Sequence, residues 1–76
     1  MTTRLTALEP GQNAAITAIH AAEALHHRLN ALGLRVGKKI QVLRQAAFRG
    51  PLHVRVGNTD IIIRRSDAAC IELRAA

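Results

Sequence analysis

Apolar positions change their period once along this chain. Between Ala22 and Leu32 they return every three or four residues; from Lys39 onward they alternate. Leu25, Leu29 and Leu32 stand at i, i+4 and i+7, one face of a helix, and Ala22 extends that face backward. Glu23 lies near the positive end of the helix dipole. Gly33 suits the left-handed residue that ends a helix, with Leu34 free to pack back on Leu29. No Ser, Thr, Asp or Asn precedes the helix, so nothing marks its start.

The alternating half predicts strands. KIQVLRQ puts Ile40 and Val42 on one face, and PLHVRVG turns Leu52, Val54 and Val56 inward with His53 and Arg55 outward. Gly57-Asn58 reads as a tight reversal. TDIIIRR follows with Ile61 and Ile63 on one face, and CIELR closes the chain with Ile71 and Leu73 together. Between them Ser66 to Ala69 reads as one helical turn capped by Ser66. Before the helix, residues 14–20 read as a further short strand, preceded by a Pro10-Gly11 type II turn. Five short strands and one early helix predict a small, strongly curled antiparallel sheet, mainly β with a helical insert, over a single domain of residues 1–76. Closing the sheet into a barrel would remove most exposed edges, and the leucine stripe would cap one open end.

Composition narrows the interior and the partner. The chain has 76 residues, 49% of them hydrophobic, but Phe48 is its only aromatic residue. The core must be aliphatic, and a chain this short buries only about 60% of the surface its unfolded form exposes. A peptide groove lined with aromatic rings is out of reach. The net charge of +6 points to an acidic partner: nucleic acid, an anionic membrane or an acidic protein face. One cysteine excludes an internal disulfide and fits a reducing compartment. No secretory pattern opens the chain, and no apolar run approaches the roughly 20 residues that span a bilayer. The chain therefore reads as a soluble cytoplasmic protein without direct membrane insertion.

Candidate chemistry is sparse. No two acids stand at a spacing that forces a shared site, and there is no phosphate-cradling glycine loop and no nucleophile elbow. Cys70, beside Ile71 at a strand start, reads as a half-buried filler. No enzyme and no cofactor is predicted. His20, Glu23 and His27 are the candidate metal ligands, because Glu23 and His27 share a helix face at i and i+4. His26 and His27 point about 100° apart on a helix and do not serve one ion together. A solvated helix face accounts for the same residues.

The basic residues gather between helix and strands. Arg35, Lys38 and Lys39, with Phe48, Arg49 and Pro51, are the candidate partner-binding residues; aromatic rings and arginines are enriched where interfaces concentrate their energy. Phe48 could equally fold back over the barrel mouth. A nucleic-acid-binding barrel is the second reading. It is not favoured, since one ring allows backbone contact but not base stacking. A metal-responsive module is the third.

The order of these residues resembles the FeoA family, the small ferrous iron transport protein A, whose relatives also occur as C-terminal domains of iron- and manganese-dependent repressors. Leu5, Leu8, Pro10 and Gly11 are similar to its opening L-x-x-L-x-P-G. Arg28, Leu29, Leu32, Gly33, Leu34 and Gly37 match its R-L-x-x-L-G-L-x-x-G centre. Ile40, Val42 and Gly50-Pro51-Leu52 match the strand and turn that follow, and Val54, Val56, Ile63, Arg64, Ala68 and Ile71 match its end. Val36 stands where the family usually has proline, Ala47 near another common proline, and His26-His27 at an often basic or polar pair. The resemblance implies an SH3-like β-barrel with a helical insert after the first strand. It also implies an accessory role in ferrous iron uptake, binding the cytoplasmic part of the FeoB transporter and modulating its activity or assembly. No catalytic residue and no metal-ligand set carries over, and the oligomeric state stays open.

Overall fold

The computed structural model describes residues 2–75. In chain order its elements are β1 (Thr2–Arg4), a 3₁₀ turn (Leu5–Ala7), β2 (Asn13–Ile19), α1 (Glu23–Ala31), β3 (Lys39–Gln45), β4 (Leu52–Val56), β5 (Thr59–Ile63), α2 (Arg65–Ala68) and β6 (Ile71–Ala75). The strands form one antiparallel sheet in the order β1-β6-β2-β3-β4-β5. The C-terminal strand thus lies inside the sheet, and β1 and β5 are its edges.

Strands β2 to β6 send alternate residues to one interior, while the edge strand β1 buries none of its own. Ala14 and Ile16 of β2, Ile40 and Val42 of β3, Leu52, Val54 and Val56 of β4, Ile63 of β5, and Ile71 and Leu73 of β6 are buried together with Leu5, Leu8, Leu29, Leu34 and Ala68. No polar or charged residue is buried among the described residues. Apart from Arg65 Nε, which is buried without a hydrogen-bond partner, the aliphatic interior of the described residues holds no side-chain polar atom that needs one, so recognition chemistry falls to the exterior.

The turns follow the predicted chemistry. Pro10 and Gly11 are the central residues of a turn closed by the Gln12 N–H on the Glu9 carbonyl (3.0 Å), with Gly11 at φ 89. Helix α1 ends in a Schellman motif: the Leu34 N–H donates to the Leu29 carbonyl (2.9 Å) and the Gly33 N–H to the Asn30 carbonyl (3.0 Å), with Gly33 at φ 95. Gly57 at φ 61 begins the two-residue turn that pairs Val56 with Thr59. Asn58 has no positive φ, so the turn is type II′.

Four expectations shift. There is a sixth strand: β1 pairs Thr2, Thr3 and Arg4 with Arg74, Leu73 and Glu72. Three residues are too few to show a period, and the open side of β6 is what draws them into the ladder. The strand read at residues 14–20 runs instead over Asn13–Ile19. Leu32, expected on the helix's core face, is 40% exposed. The helix stops at Ala31, and the left-handed turn at Gly33 sends Leu34 into the core in its place. Ser66 does not cap α2; Arg64 occupies that position, its carbonyl accepting the Ala68 N–H at 2.9 Å.

Candidate functional site

The six residues expected to meet a partner divide between the two ends of β3. All are exposed. Arg35, Lys38 and Lys39 stand at its start; Phe48, Arg49 and Pro51 lie beyond its end. Seven extended residues separate the groups by about 20 Å, in a molecule whose longest dimension is 29 Å. They form two patches.

The first patch is the tip of the β3–β4 hairpin. The Ala46 N–H donates to the Pro51 carbonyl (3.1 Å) and the Gly50 N–H to the Ala47 carbonyl (3.2 Å). Between them Phe48 and Arg49 both adopt left-handed conformations, φ 58 and φ 59. That is a type I′ turn, whose usual central pair is Asn-Gly. A side chain forced into it costs about 1–2 kcal/mol per residue. The Phe48 ring does not fold back on the barrel: it is 102% exposed. The glycine beside it serves space rather than torsion, since a Cβ on Gly50 would stand 2.6 Å from the Ala46 Cβ.

The second patch is held by a turn closed from the Lys38 N–H to the Arg35 carbonyl (3.1 Å), with Gly37 at φ 94. Gly37 also donates to the Ile16 carbonyl at 2.8 Å, and Ile16 donates to the Lys38 carbonyl at 2.9 Å. These bonds tie the patch to β2. In a type II turn the residue before the left-handed glycine favours proline, which gives the proline of the family pattern at Val36 a physical reason.

Of the candidate metal ligands, Glu23 and His27 come together one turn apart on α1, at 3.6 Å. His20 turns elsewhere: its Nε2 donates to Glu72 Oε2 of β6 at 2.7 Å. That hydrogen bond holds the Glu72 carboxyl below its ordinary range. No three His, Cys, Asp or Glu side chains converge among the described residues. Across the β4–β5 hairpin, Arg55 Nε donates to Asp60 Oδ1 at 2.7 Å, which lowers the Asp60 pKa and raises that of Arg55. Cys70 is half-buried, with its thiol 3.7 Å from the Ser66 carbonyl.

One exposed residue escaped the sequence reading, and the setting of another follows only from the structure. Ile62 is 70% exposed on edge strand β5. The signal was present: three consecutive isoleucines in a strand of period two leave the middle one outside. Arg44, one of the basic residues gathered between residues 32 and 56, owes its outward position to a β-bulge. The register steps from Val42↔Val54 to Arg44↔His53, with Leu43 as the extra residue, so Arg44 joins a row with His53 and Ile62. Strict alternation from Val42 would have turned it inward.

With this geometry in view, comparison with known proteins is informative. A family model described as the FeoA domain matches residues 3–75. A curated relative from Porphyromonas gingivalis, an Fe(2+) transport protein A/Fe(2+) transporter FeoB fusion protein, is 33% identical over 70 residues. That stretch is 92% of this chain but 8% of the relative. Among solved structures, an iron uptake regulatory protein, FeoA, superposes with a TM-score of 0.90 at 26% identity, over 100% of this chain and 99% of that one. The zinc-complexed FeoA of Stenotrophomonas maltophilia, described as a prokaryotic SH3 domain protein, has a TM-score of 0.81 at 26% identity, over 95% of this chain and 89% of that one. The curled six-stranded sheet is accordingly of the SH3-like type.

Proposed function

The chain belongs to the FeoA family, a family linked to ferrous iron transport, and from that premise we propose that it is a cytoplasmic accessory protein of ferrous iron uptake that docks on the cytoplasmic part of a FeoB-like transporter and modulates its activity or assembly. The observation that carries this reading is the fusion relative, in which transport protein A and FeoB share one polypeptide. Two partners encoded as one chain act side by side, and a domain of 8.2 kDa with an apolar interior has its surface to offer them. The reading is non-catalytic. No helix among the described residues is long and apolar enough to cross a membrane.

The proposed contact is the hairpin tip, Phe48, Arg49 and Pro51, with Arg35, Lys38 and Lys39 adding attraction from the other end of β3. Calorimetric titration against the transporter's cytoplasmic domain, under reducing conditions and with and without nucleotide and ferrous iron, tests it. Phe48→Ala with Arg49→Ala should weaken binding more than Arg74→Ala does. Absence of binding in every condition overturns the reading.

The zinc in the Stenotrophomonas relative favours a second reading, a weak metal-responsive surface site at Glu23 and His27 with His20 nearby in sequence. Zinc titration of the wild type against His27→Ala checks it; identical curves return these side chains to an ordinary solvated helix face.

A further inference from the structure

The row Arg44–His53–Ile62 is the centre of a further surface, which reaches the base of the Phe48 hairpin at Ala46 and Pro51. Two shallow grooves meet at Ile62. One, of about 260 Å³, runs between α1 and β5 and includes Leu32; the other, of about 150 Å³, runs to the base of the β3–β4 hairpin and includes Ala46 and Pro51. They give a continuous strip with apolar ground at Leu32, Ile62 and Pro51. Native sheets usually protect an edge strand with charge at its outward positions. The outward positions of β5 are Asp60 and Ile62, so the charge stands toward the Gly57 turn and the position beside His53 carries isoleucine.

Charge surrounds this apolar ground on one side of the balance. Arg28, Arg44 and Arg64 line the two grooves with Asp67 as the carboxylate of that lining, and Asp60, 3.9 Å from His53 at the flank of the row, is held by Arg55. Asp67 is already held by Arg28 Nη2 at 3.3 Å. Arg44 and Arg64 have no carboxylate partner among the described residues. The bulge at Leu43 is what places Arg44 beside His53 and Ile62, and bulges recur where a side chain is re-aimed for function. A second copy of the chain is disfavoured as occupant, because both surfaces would carry the same sign on a molecule of net charge +6. Nucleic acid would find phosphate partners at the rim but isoleucine and leucine at the centre.

We propose that this strip docks an acidic amphipathic segment of a partner protein, its apolar side chains against Ile62 and Leu32 and its carboxylates on the Arg44 and Arg64 guanidinium groups. Planar guanidinium and carboxylate match in two parallel hydrogen bonds, so the arginines set the orientation while the apolar contact supplies the burial. The face shares Pro51 with the proposed transporter contact, but Arg44, Arg64, Ile62 and Leu32 carry it and do not rest on that reading.

The test is an NMR titration of the ¹⁵N-labelled chain with two synthetic peptides of the same leucine spacing, i, i+3, i+4 and i+7. One carries glutamates at the other positions, its counterpart lysines. The glutamate peptide is expected to shift the amides of residues 32, 44, 53 and 62–64 and to bind less tightly as salt is added. Ile62→Gln and Arg44→Glu, each with an otherwise unchanged spectrum, should each weaken it about tenfold or more. Equal binding of the lysine peptide overturns the proposal, as does a shift map confined to residues 47–50. So does self-association of the free chain that Ile62→Gln abolishes, since a second copy would then be the occupant. Because no transporter domain is present, the result is separable from that of the transporter titration.

Discussion

The two hairpins that share β4 solve the same reversal in opposite ways. Between β4 and β5 the chain turns on Gly57-Asn58, with glycine at the one position where φ must be positive. The strands on either side are clasped by Arg55 and Asp60. Between β3 and β4 the turn demands positive φ twice, and the residues there are Phe48 and Arg49. The first turn is built to be stable. The second retains unfavourable torsions at a tip that displays the chain's one aromatic ring. Strain held at an exposed, chemically distinctive position supports the contact proposed there.

The sharpest way to break this contrast is to remove the room the strained tip needs. Gly50→Ala drives a methyl group into Ala46 and should destabilise the fold by about 1–3 kcal/mol in urea denaturation. Adding Ala46→Gly should recover a large part of that loss. If Gly50→Ala is neutral, the close approach is not what requires glycine. Next, Phe48→Asn with Arg49→Gly gives the turn its preferred pair and should raise stability by about 2 kcal/mol while weakening capture of the transporter domain. A more stable variant that binds unchanged would separate the strain from the function. Gly57→Ala should do the reverse at the relaxed turn, lowering stability by about 1–2 kcal/mol and leaving partner binding intact.

The smallest effect concerns acid. Asp60 carries a depressed pKa because of Arg55, and residues 46–51 include no carboxylate. A depressed carboxyl contributes stability that is complete above the ordinary carboxylate range near roughly pH 4 and is lost as pH falls through its lower folded value. Acidification should therefore loosen the β4–β5 clasp before it affects the Phe48 tip. The carbon resonance of the Asp60 carboxyl should titrate low in the wild type and return to its ordinary range in Arg55→Ala.

The contrast also shows where sequence reading succeeds. Leu29, Gly33 and Leu34 announce the helix end because a Schellman motif is completed within six residues. Gly57-Asn58 announces its reversal because the required torsion is local to glycine. The alternation of Ile40, Val42, Leu52, Val54 and Val56 announces the buried face because period two is a property of a single strand. β1 was not legible, since three residues have no period and pair only when β6 offers an edge. Nor was the row that Arg44 joins, because a bulge moves one residue out of register without any glycine to mark it. Phe48 and Arg49 look like poor residues for a type I′ turn, and only the flanking ladder from β3 to β4 holds them there.

The amino-acid sequence by itself determined the aliphatic interior, the presence of α1 and α2, the type II turn at Pro10-Gly11 and the helix stop, since each follows from torsions and periodicity within one segment, whereas the 3₁₀ turn at Leu5–Ala7 was not marked. Which strands neighbour one another, the division of the basic residues between two ends of β3, and the joining of Arg44, His53 and Ile62 into one row were decided only by tertiary structure. Those relations depend on register between strands distant in the chain, and register is settled by the core that β2 to β6 bury together.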